Sequence, residues 1–487
     1  MIELTTTSKP NILIFMTDQQ RWDMAPPYNR AITPHLDVFY KNAVSFTQTY
    51  GPSPHCCPSR ATFFTGLYPS QHGVWNNVNV GNGLSRGLKK GVRLWSDDLF
   101  DAGYKLYLTG KWHISAEEGP EDRHWIVTDG AKKASAKSSA AEWKLYNQQP
   151  TVTTKDIRQT GQILRPGYPL FVQYGHNENP YRDADKVQSA IQTIQERNDD
   201  EGPWCQYVGT LGPHDPYFVP QRFLDMYNID DIQLPENFKD AMLDKPALYR
   251  RTKARFDQLS EEEHRKSILH YLAFCTYEDE LFGMILEALE EKGQRDNTII
   301  LFTSDHGDYM GEHGLWTKGL PCFQSAYHVP MLIQWPQGAV QTGRTVEQYA
   351  SLADVGPTLL EMAGVEVERN FAGRSLVPFL RNEQPANWRD AMFTQSNGNE
   401  LYGIQRSVTT KEWKYVYNGF DFDELYHLSE DPDEMHNVIG DPQYQPIVQE
   451  LCTRMWQFAY AHDDVCINPY IMVGHVPYGP GVAFQNE

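Results

Sequence analysis

Two stretches of unbroken apolar sequence constrain this chain most. Ile12-Leu13-Ile14-Phe15-Met16 and Ile299-Ile300-Leu301-Phe302 show no polar alternation, and each stops at a polar cluster, Thr17-Asp18-Gln19-Gln20 and Thr303-Ser304-Asp305-His306-Gly307. A strand that is apolar at every position is covered on both faces, which is the condition of a parallel sheet sandwiched by helices. Ligands of such sheets bind beyond the carboxyl ends of the strands. Asp18 and Gln19 at one end, and Asp305 and His306 at the other, are therefore candidate site residues that two strand ends could bring together. Two carboxylates, an amide and an imidazole suit a hard divalent ion, Ca2+ or Mg2+. The alternative is that they cap loops and helices, as strand-end polar residues often do.

Further strands are expected at residues 204 to 210 and at Val329 to Trp335. Helices are expected over 260 to 292, as one or two pieces, and over Leu352 to Met362. An Ala-, Ser- and Lys-rich stretch from Ala131 to Ala141 reads as a surface insertion. Near residues 388 to 392 the pattern changes to short alternating strands, Trp413-Lys414-Tyr415-Val416-Tyr417 and Asp423 to Leu428, followed by a helix around 445 to 460. The expected architecture is α/β: a large mixed, mostly parallel sheet sandwiched by helices over residues 1–387, and a smaller C-terminal α+β subdomain with an antiparallel sheet over 388–487.

With 487 residues, 40% hydrophobic and 22% charged, the chain is long enough for one large fold and a satellite. Its 43 basic and 63 acidic residues leave a net charge of −20, which argues against a nucleic-acid groove or an anionic membrane as partner. No apolar run approaches the roughly eighteen residues of a membrane span, and the start Met1 to Thr7 lacks the features of an export signal. A soluble chain is expected, cytoplasmic, or periplasmic or secreted where a leader has been removed. The seven cysteines are too few and too scattered for a disulfide framework.

The most informative segment is Pro54-His55-Cys56-Cys57-Pro58-Ser59-Arg60, followed by Ala61 to Gly66. Polar residues open an expected helix with Pro58 in its first turn, so Cys56 lies near a helix N-terminus that favours an anion. A thiolate nucleophile is one reading; a pair of small buried thiols is the other. Cys56-Cys57-Pro58-Ser59-Arg60 resembles the Cys-x-Pro-Ser-Arg signature of type I sulfatases in the alkaline phosphatase-like superfamily. The resemblance continues through Gly66 to Gly73, Gly103-Tyr104, Gly110-Lys111-Trp112-His113 and Glu424 to Pro432, in order and over nearly the whole chain.

The resemblance implies that a maturation enzyme oxidises Cys56 to Cα-formylglycine, whose hydrate attacks sulfur. It implies that Arg60 holds this hydrate, that Cys57 is a bystander, and that Asp18, Gln19, Asp305, His306 and the modified Cys56 bind Ca2+ in preference to Mg2+. Lys111 and His113 match the sulfate-binding pair, His214 matches a histidine that contacts sulfate or the leaving oxygen, and Lys318, thirteen residues after Asp305, matches the late lysine. Asp305 is expected to act as base. Phosphonate monoester hydrolases of the superfamily usually carry hydroxyl side chains in place of the basic pair, so Lys111 and His113 tilt the expectation toward sulfate esters. Tyr327-His328 stands where the family commonly has arginine.

The substrate is expected to be a sulfated carbohydrate. Asn77 matches a pocket asparagine, and Trp75, Arg123, His124 and Trp316 lie near motifs that frame the pocket; aromatic faces with cationic edges suit an anionic sugar, although tryptophans so spaced are as often core. A phosphonate or phosphate ester hydrolase, and a non-catalytic sulfated-glycan binder, are the competing expectations. Oligomeric state is left open.

Overall fold

The computed structural model describes residues 9–128, 150–198, 202–399, 401–467 and 478–484. Its main sheet has eight strands: β1 (Asn11–Thr17), β2 (Val44–Phe46), β3 (Lys105–Gly110), β4 (Trp125–Val127), β5 (Trp204–Gly209), β6 (Thr298–Ser304), β7 (Met331–Gln334) and β8 (Arg344–Val346), in the spatial order β8-β2-β7-β6-β1-β5-β3-β4. β6, β1, β5, β3 and β4 run parallel, while β7 is antiparallel to both β6 and β2. The expected mixed, mostly parallel sheet is thus present. The expected insertion at 131 to 141 lies outside the described residues.

Complete burial of β1 and β6 explains their unbroken apolar sequence. Ile12, Ile14 and Met16 face one core, with α1 (Cys56–Thr65), α2 (Trp95–Asp101) and the late helix described below. Leu13 and Phe15 face the other, packed under α3 (Asp183–Glu196) and the longest helix of the fold. Successive side chains of a strand point to opposite faces, so each apolar residue meets a helix layer whichever way it points. Between α3 and that longest helix comes α4 (Ala247–Ala254). The helices then run α5 (Glu261–Glu291), a single piece of 31 residues, and α6 (Val355–Met362), which is entered through a 3-10 turn at Leu352–Asp354.

α5 opens with a reciprocal cap: Ser260 Oγ accepts from Glu263 N–H at 3.3 Å, and Glu263 accepts from Ser260 N–H at 2.8 Å. Glu263 also receives Arg158 at 2.7 and 2.8 Å and Gly161 N–H at 2.6 Å, tying a neighbouring loop to the helix. Chiefly through Arg158, and against the cost of burial, its carboxyl is lowered to about 2 from the usual 4.5. A depressed carboxylate contributes stability that is complete above its unfolded value and lost as pH falls through its folded one. Glu263→Gln is therefore expected to cost about 2 kcal/mol at pH 7, with the gap to the native chain narrowing below about pH 4. Urea midpoints of both chains at about pH 7 and about pH 3 check this.

A four-stranded antiparallel sheet follows the main body: β9 (Ala391–Gly398), β10 (Tyr402–Thr410), β11 (Trp413–Asn418) and β12 (Glu424–His427), backed by α7 (Gln445–Ala461). It docks on the main body through Gln395, whose N–H donates to Pro52 O at 2.8 Å and whose Oε1 accepts from Ser70 N–H at 3.0 Å. All seven cysteines are free and buried. Among the described residues, no helix is long and apolar enough to cross a membrane.

Candidate active site

The register of the sheet assembles the site. β1 and β6 pair in parallel from Asn11 with Thr298 to Thr17 with Ser304, so the residues that follow, Asp18 and Asp305, emerge side by side. Gln19 N–H donates to Asp305 Oδ1 at 3.1 Å across the gap. β3 ends at Gly110, immediately before Lys111, and β5 ends at Gly209, ahead of the loop that carries His214. Asp183 pins that loop by accepting from Leu211 N–H and Gly212 N–H, both at 2.9 Å. Four adjacent parallel strands thus deliver their carboxyl ends to one place.

α1 brings the remaining groups. His55 is its N-cap and Cys56 its first residue, and Gly66 closes it in the left-handed region at φ 69°, where its N–H reaches Thr62 O at 2.8 Å. Every residue of α1 is buried, because the helix sits between the main sheet and the surrounding loops instead of on a surface. Arg60, one turn on from Cys56, is fully buried and donates to Asp305 Oδ2 at 2.7 Å, Asp18 Oδ2 at 3.0 Å, Tyr207 Oη at 2.8 Å and Lys111 O at 3.1 Å. Lys111 Nζ also donates to Asp18 Oδ2. Two buried carboxylates are in this way balanced by two buried cations.

The ionisation states follow. Burial alone would raise the Asp18 carboxyl, as would the neighbouring Cys56; Lys111, His214 and Arg60 outweigh both and hold it well below the usual carboxylate range. Burial would likewise raise the Cys56 thiol. The charges of Lys111, Lys318 and His306, with a hydrogen bond to His113, hold it well below the usual thiol range instead. Cys57, one residue away, shows the contrast: burial and the adjacent Cys56 push its thiol far up, and its Sγ accepts only from Val78 N–H, at 3.4 Å. The two adjacent thiols are shifted in opposite directions.

Asp18, Cys56, Asp305 and His306 each place a ligand atom within 4.8 Å of the others, and all four are buried. His306 Nδ1 donates to Gly307 O at 2.9 Å, which turns Nε2 toward the cluster, 3.2 Å from Cys56 Sγ. Hard carboxylate oxygens with one oriented imidazole nitrogen fit a divalent cation. The side chain of Gln19 is differently engaged. Its Oε1 accepts from Lys318 Nζ at 2.5 Å, and its Nε2 donates to Asp308 at 2.6 Å and to Asp215 at 3.0 Å; the carbonyl expected to face a metal is taken by Lys318. The two carboxylates differ in their partners. Asp305 accepts from Arg60, Gln19 and His306, whereas the carboxylate hydrogen-bonded to Cys56 Sγ is that of Asp18, at 3.8 Å.

Cys56 opens into a cavity of about 500 Å3 whose walls include His113, His214, Lys318 and Asn77. Lys318 Nζ donates to His214 Nε2, and His214 Nδ1 donates to Asp215 O at 2.6 Å. Asn77 Oδ1 caps α1 by accepting from Cys57 N–H at 3.2 Å.

Four residues expected at the pocket stand elsewhere. Trp316 is fully buried and donates through Nε1 to His264 Nδ1 at 2.8 Å, a core residue beside Tyr217. Trp75 is 8% exposed with the Arg406 guanidinium 5.1 Å from its ring, so it packs toward the small sheet. Arg123 pairs with Glu118 and Asp97, and His124 stacks on Phe100 at 4.0 Å, both at a separate shallow depression. Proximity in sequence to a motif is not proximity to the cavity here: the turns after the motifs carry Trp75 and Trp316 into the body and Arg123 and His124 to another part of the surface. His328 is sandwiched between Trp22 and Tyr50 at 4.5 Å from each and donates to Thr47 O at 2.8 Å. Burial lowers its imidazole to about 3, so it is a neutral packing residue.

Several residues at the site were not anticipated. His55 lines the cavity, and burial beside Lys318 and His306 lowers it to about 3; its place just before Cys56 was the available signal. Asp308, three residues after Asp305, organises Gln19, Tyr217 and the backbone of Thr317. Arg255 and Asn399, also in the cavity wall, had no signal in any motif.

Comparison with known proteins decides the family. The sulfatase family profile matches residues 10–365, and the profile described as N-sulphoglucosamine sulphohydrolase, C-terminal, matches residues 311–461. The chain belongs to the sulfatase family. It is a sulfuric ester hydrolase of alkaline phosphatase-like fold. It is 29% identical to the choline-sulfatase of Rhizobium meliloti, covering 94% of this chain and 88% of that protein. It is 26% identical to the N-acetylglucosamine-6-O-sulfatase of Bacteroides thetaiotaomicron, covering 91% and 85%. Among solved structures, the phosphonate monoester hydrolase of Agrobacterium radiobacter superposes with a TM-score of 0.76 at 23% identity, covering 93% of this chain and 96% of that one, a likeness of fold.

Proposed function

We propose that this sulfatase hydrolyses sulfate esters of a carbohydrate, with Cys56 matured to formylglycine and Ca2+ held by Asp18, Asp305 and His306. The observation that carries the reading is the basic pair Lys111 and His113 beside Cys56, at the inner end of a cavity whose outer wall mixes amides with apolar side chains. Sulfated-glycan sulfatases among the relatives, the N-acetylglucosamine-6-O-sulfatase and an ulvan-active sulfatase of Formosa agariphila, support the carbohydrate reading.

The cation would neutralise charge on the bound sulfate, and the hydrated aldehyde would supply two hydroxyls, one to attack sulfur and one to expel sulfate afterwards. The chain's own residues do the rest. Lys111 and Arg60 set a fixed positive field around the Cys56 position and favour the charge that develops as the S–O bond breaks. Asp18 Oδ1 accepts the proton of the attacking hydroxyl. His113, hydrogen-bonded at the Cys56 position and lowered by burial beside Lys111, is neutral and able to take the second hydroxyl's proton. Lys318, backed by His214, holds the proton for the leaving oxygen.

The test is ion-chromatographic detection of free sulfate from chain co-produced with a maturation enzyme, given a panel of sulfated oligosaccharides, an aryl sulfate and an aryl phosphonate ester, with mass analysis of the Cys56 peptide. Sulfate from a sugar and an aldehyde at Cys56 support the reading. Faster phosphonate turnover than sulfate turnover, or an unmodified active Cys56, overturns it. In the same assay Lys318→Ala is expected to slow sugar sulfates by roughly 10²- to 10⁴-fold and 4-nitrophenyl sulfate far less, since a phenoxide leaves without a proton.

A further inference from the structure

Beyond Cys56 the cavity continues along a wall that lies outside the signature motifs. Leu248, Thr252, Arg255 and Phe256 line it. They come from α4 and the turn that ends it, and intervals of four, three and one residues place them on a single helical face. Asn77, Asn399 and Leu401 complete this part of the cavity, the last two from the β9–β10 connection. Asn77 Oδ1 is engaged by Cys57 N–H and Asn399 Oδ1 by Asn77 N–H at 3.0 Å. The amide NH2 groups are the donors these two residues keep.

α4 is basic although the chain carries −20 overall, and the cavity lining sets Arg255 and Lys318 against one carboxylate, Asp215. α4 and its cap hold Arg250, Arg251, Lys253 and Arg255 within six residues. Arg250 donates to Met242 O at 2.7 Å and Lys253 to Asp240 O at 2.5 Å. Arg255 lines the cavity, half-buried, next in sequence to Phe256, which lines it too. A guanidinium, an aromatic side chain and amide donors in one lining match an acidic sugar: a planar fork for an anion, an apolar surface for the C–H side of a ring, and donors for hydroxyls.

We propose that this wall is a leaving-group subsite in which Arg255 reads a second negative charge on the substrate, the carboxylate of a uronic acid or a second sulfate. The subsite deepens the carbohydrate reading and rests on it. The whole cavity, about 500 Å3, suits a short saccharide, so the preferred substrates are short, doubly charged saccharides.

The experiment measures kcat/KM of the matured enzyme on matched pairs. One pair is a sulfated disaccharide with a neutral or a uronic acid neighbour, a second is the same sugar with one or two sulfates, and a third is 4-methylphenyl against 4-carboxyphenyl sulfate. The native chain is expected to prefer the more acidic member of at least one sugar pair by roughly tenfold or more. Arg255→Gln is expected to bring that ratio toward one through KM, and Arg255→Lys to keep part of it, with the sugar pair that responds identifying the anion. A native ratio near or below one, or a ratio unmoved by Arg255→Gln, overturns the subsite. If sugars are inert but the aryl pair shows an Arg255-dependent preference, the carbohydrate reading falls and the charge-reading subsite stands.

Discussion

Cys56→Ala is expected to lower sulfate release at least about 10⁴-fold while shifting the unfolding midpoint little. The magnitude is that of removing a nucleophile from a site whose other parts remain intact. Lys111, Lys318, His306 and His113 converge on this one side chain, and no neighbour can replace it: Cys57 faces Val78, and its thiol is pushed far up by burial. Stability should change little because Asp18 and Asp305 keep Arg60 and Lys111 as partners. Sulfate release and thermal unfolding measured on the same preparation check both halves. Residual activity above about one part in a hundred would place the nucleophile elsewhere.

The second large effect falls on stability. Arg60→Met fills a similar volume but removes four donors at once, leaving Asp305 Oδ2 without its cation, Asp18 with Lys111 alone, and Tyr207 Oη and Lys111 O without their donor. Breaking a fully buried ion pair from one side costs about 3–5 kcal/mol, because the remaining charge stays buried. Arg60→Lys keeps the charge but loses the planar fork that spans both carboxylates, so about half that loss is expected. Denaturant unfolding of the three chains at pH 7 orders them native, Lys, Met. An Arg60→Met chain as stable as the native one would mean that the carboxylates are protonated or balanced by another group. Activity is expected to fall with stability in this series, since the same guanidinium orients Asp18 against Cys56 Sγ.

Much of the site was legible because its residues lie in short contiguous runs. Asp18 with Gln19, Asp305 with His306, and Cys56 with Arg60 each sit directly after a strand or within one helical turn, where local rules of burial and capping apply. The continuous apolar runs of β1 and β6 announced a sheet covered on both faces, and the change of pattern near residue 390 announced the antiparallel sheet that opens at Ala391. Trp75, Arg123, His124 and Trp316 were misplaced for a related reason: closeness in sequence to a motif was taken for closeness to the cavity, whereas side chains two or three residues apart on turns point in unrelated directions.

Sequence alone announced the sheet, the order of the motifs and the candidate nucleophile Cys56, because each depends on neighbours within about a turn of helix or a strand length. Only the tertiary structure decided which carboxylate meets Cys56, how Lys318 occupies Gln19, and that Leu248, Arg255, Asn77 and Asn399 share one cavity. The first two of those join residues 38 and 299 positions apart. They are set by strand register and by the packing of whole elements, quantities that no local pattern encodes.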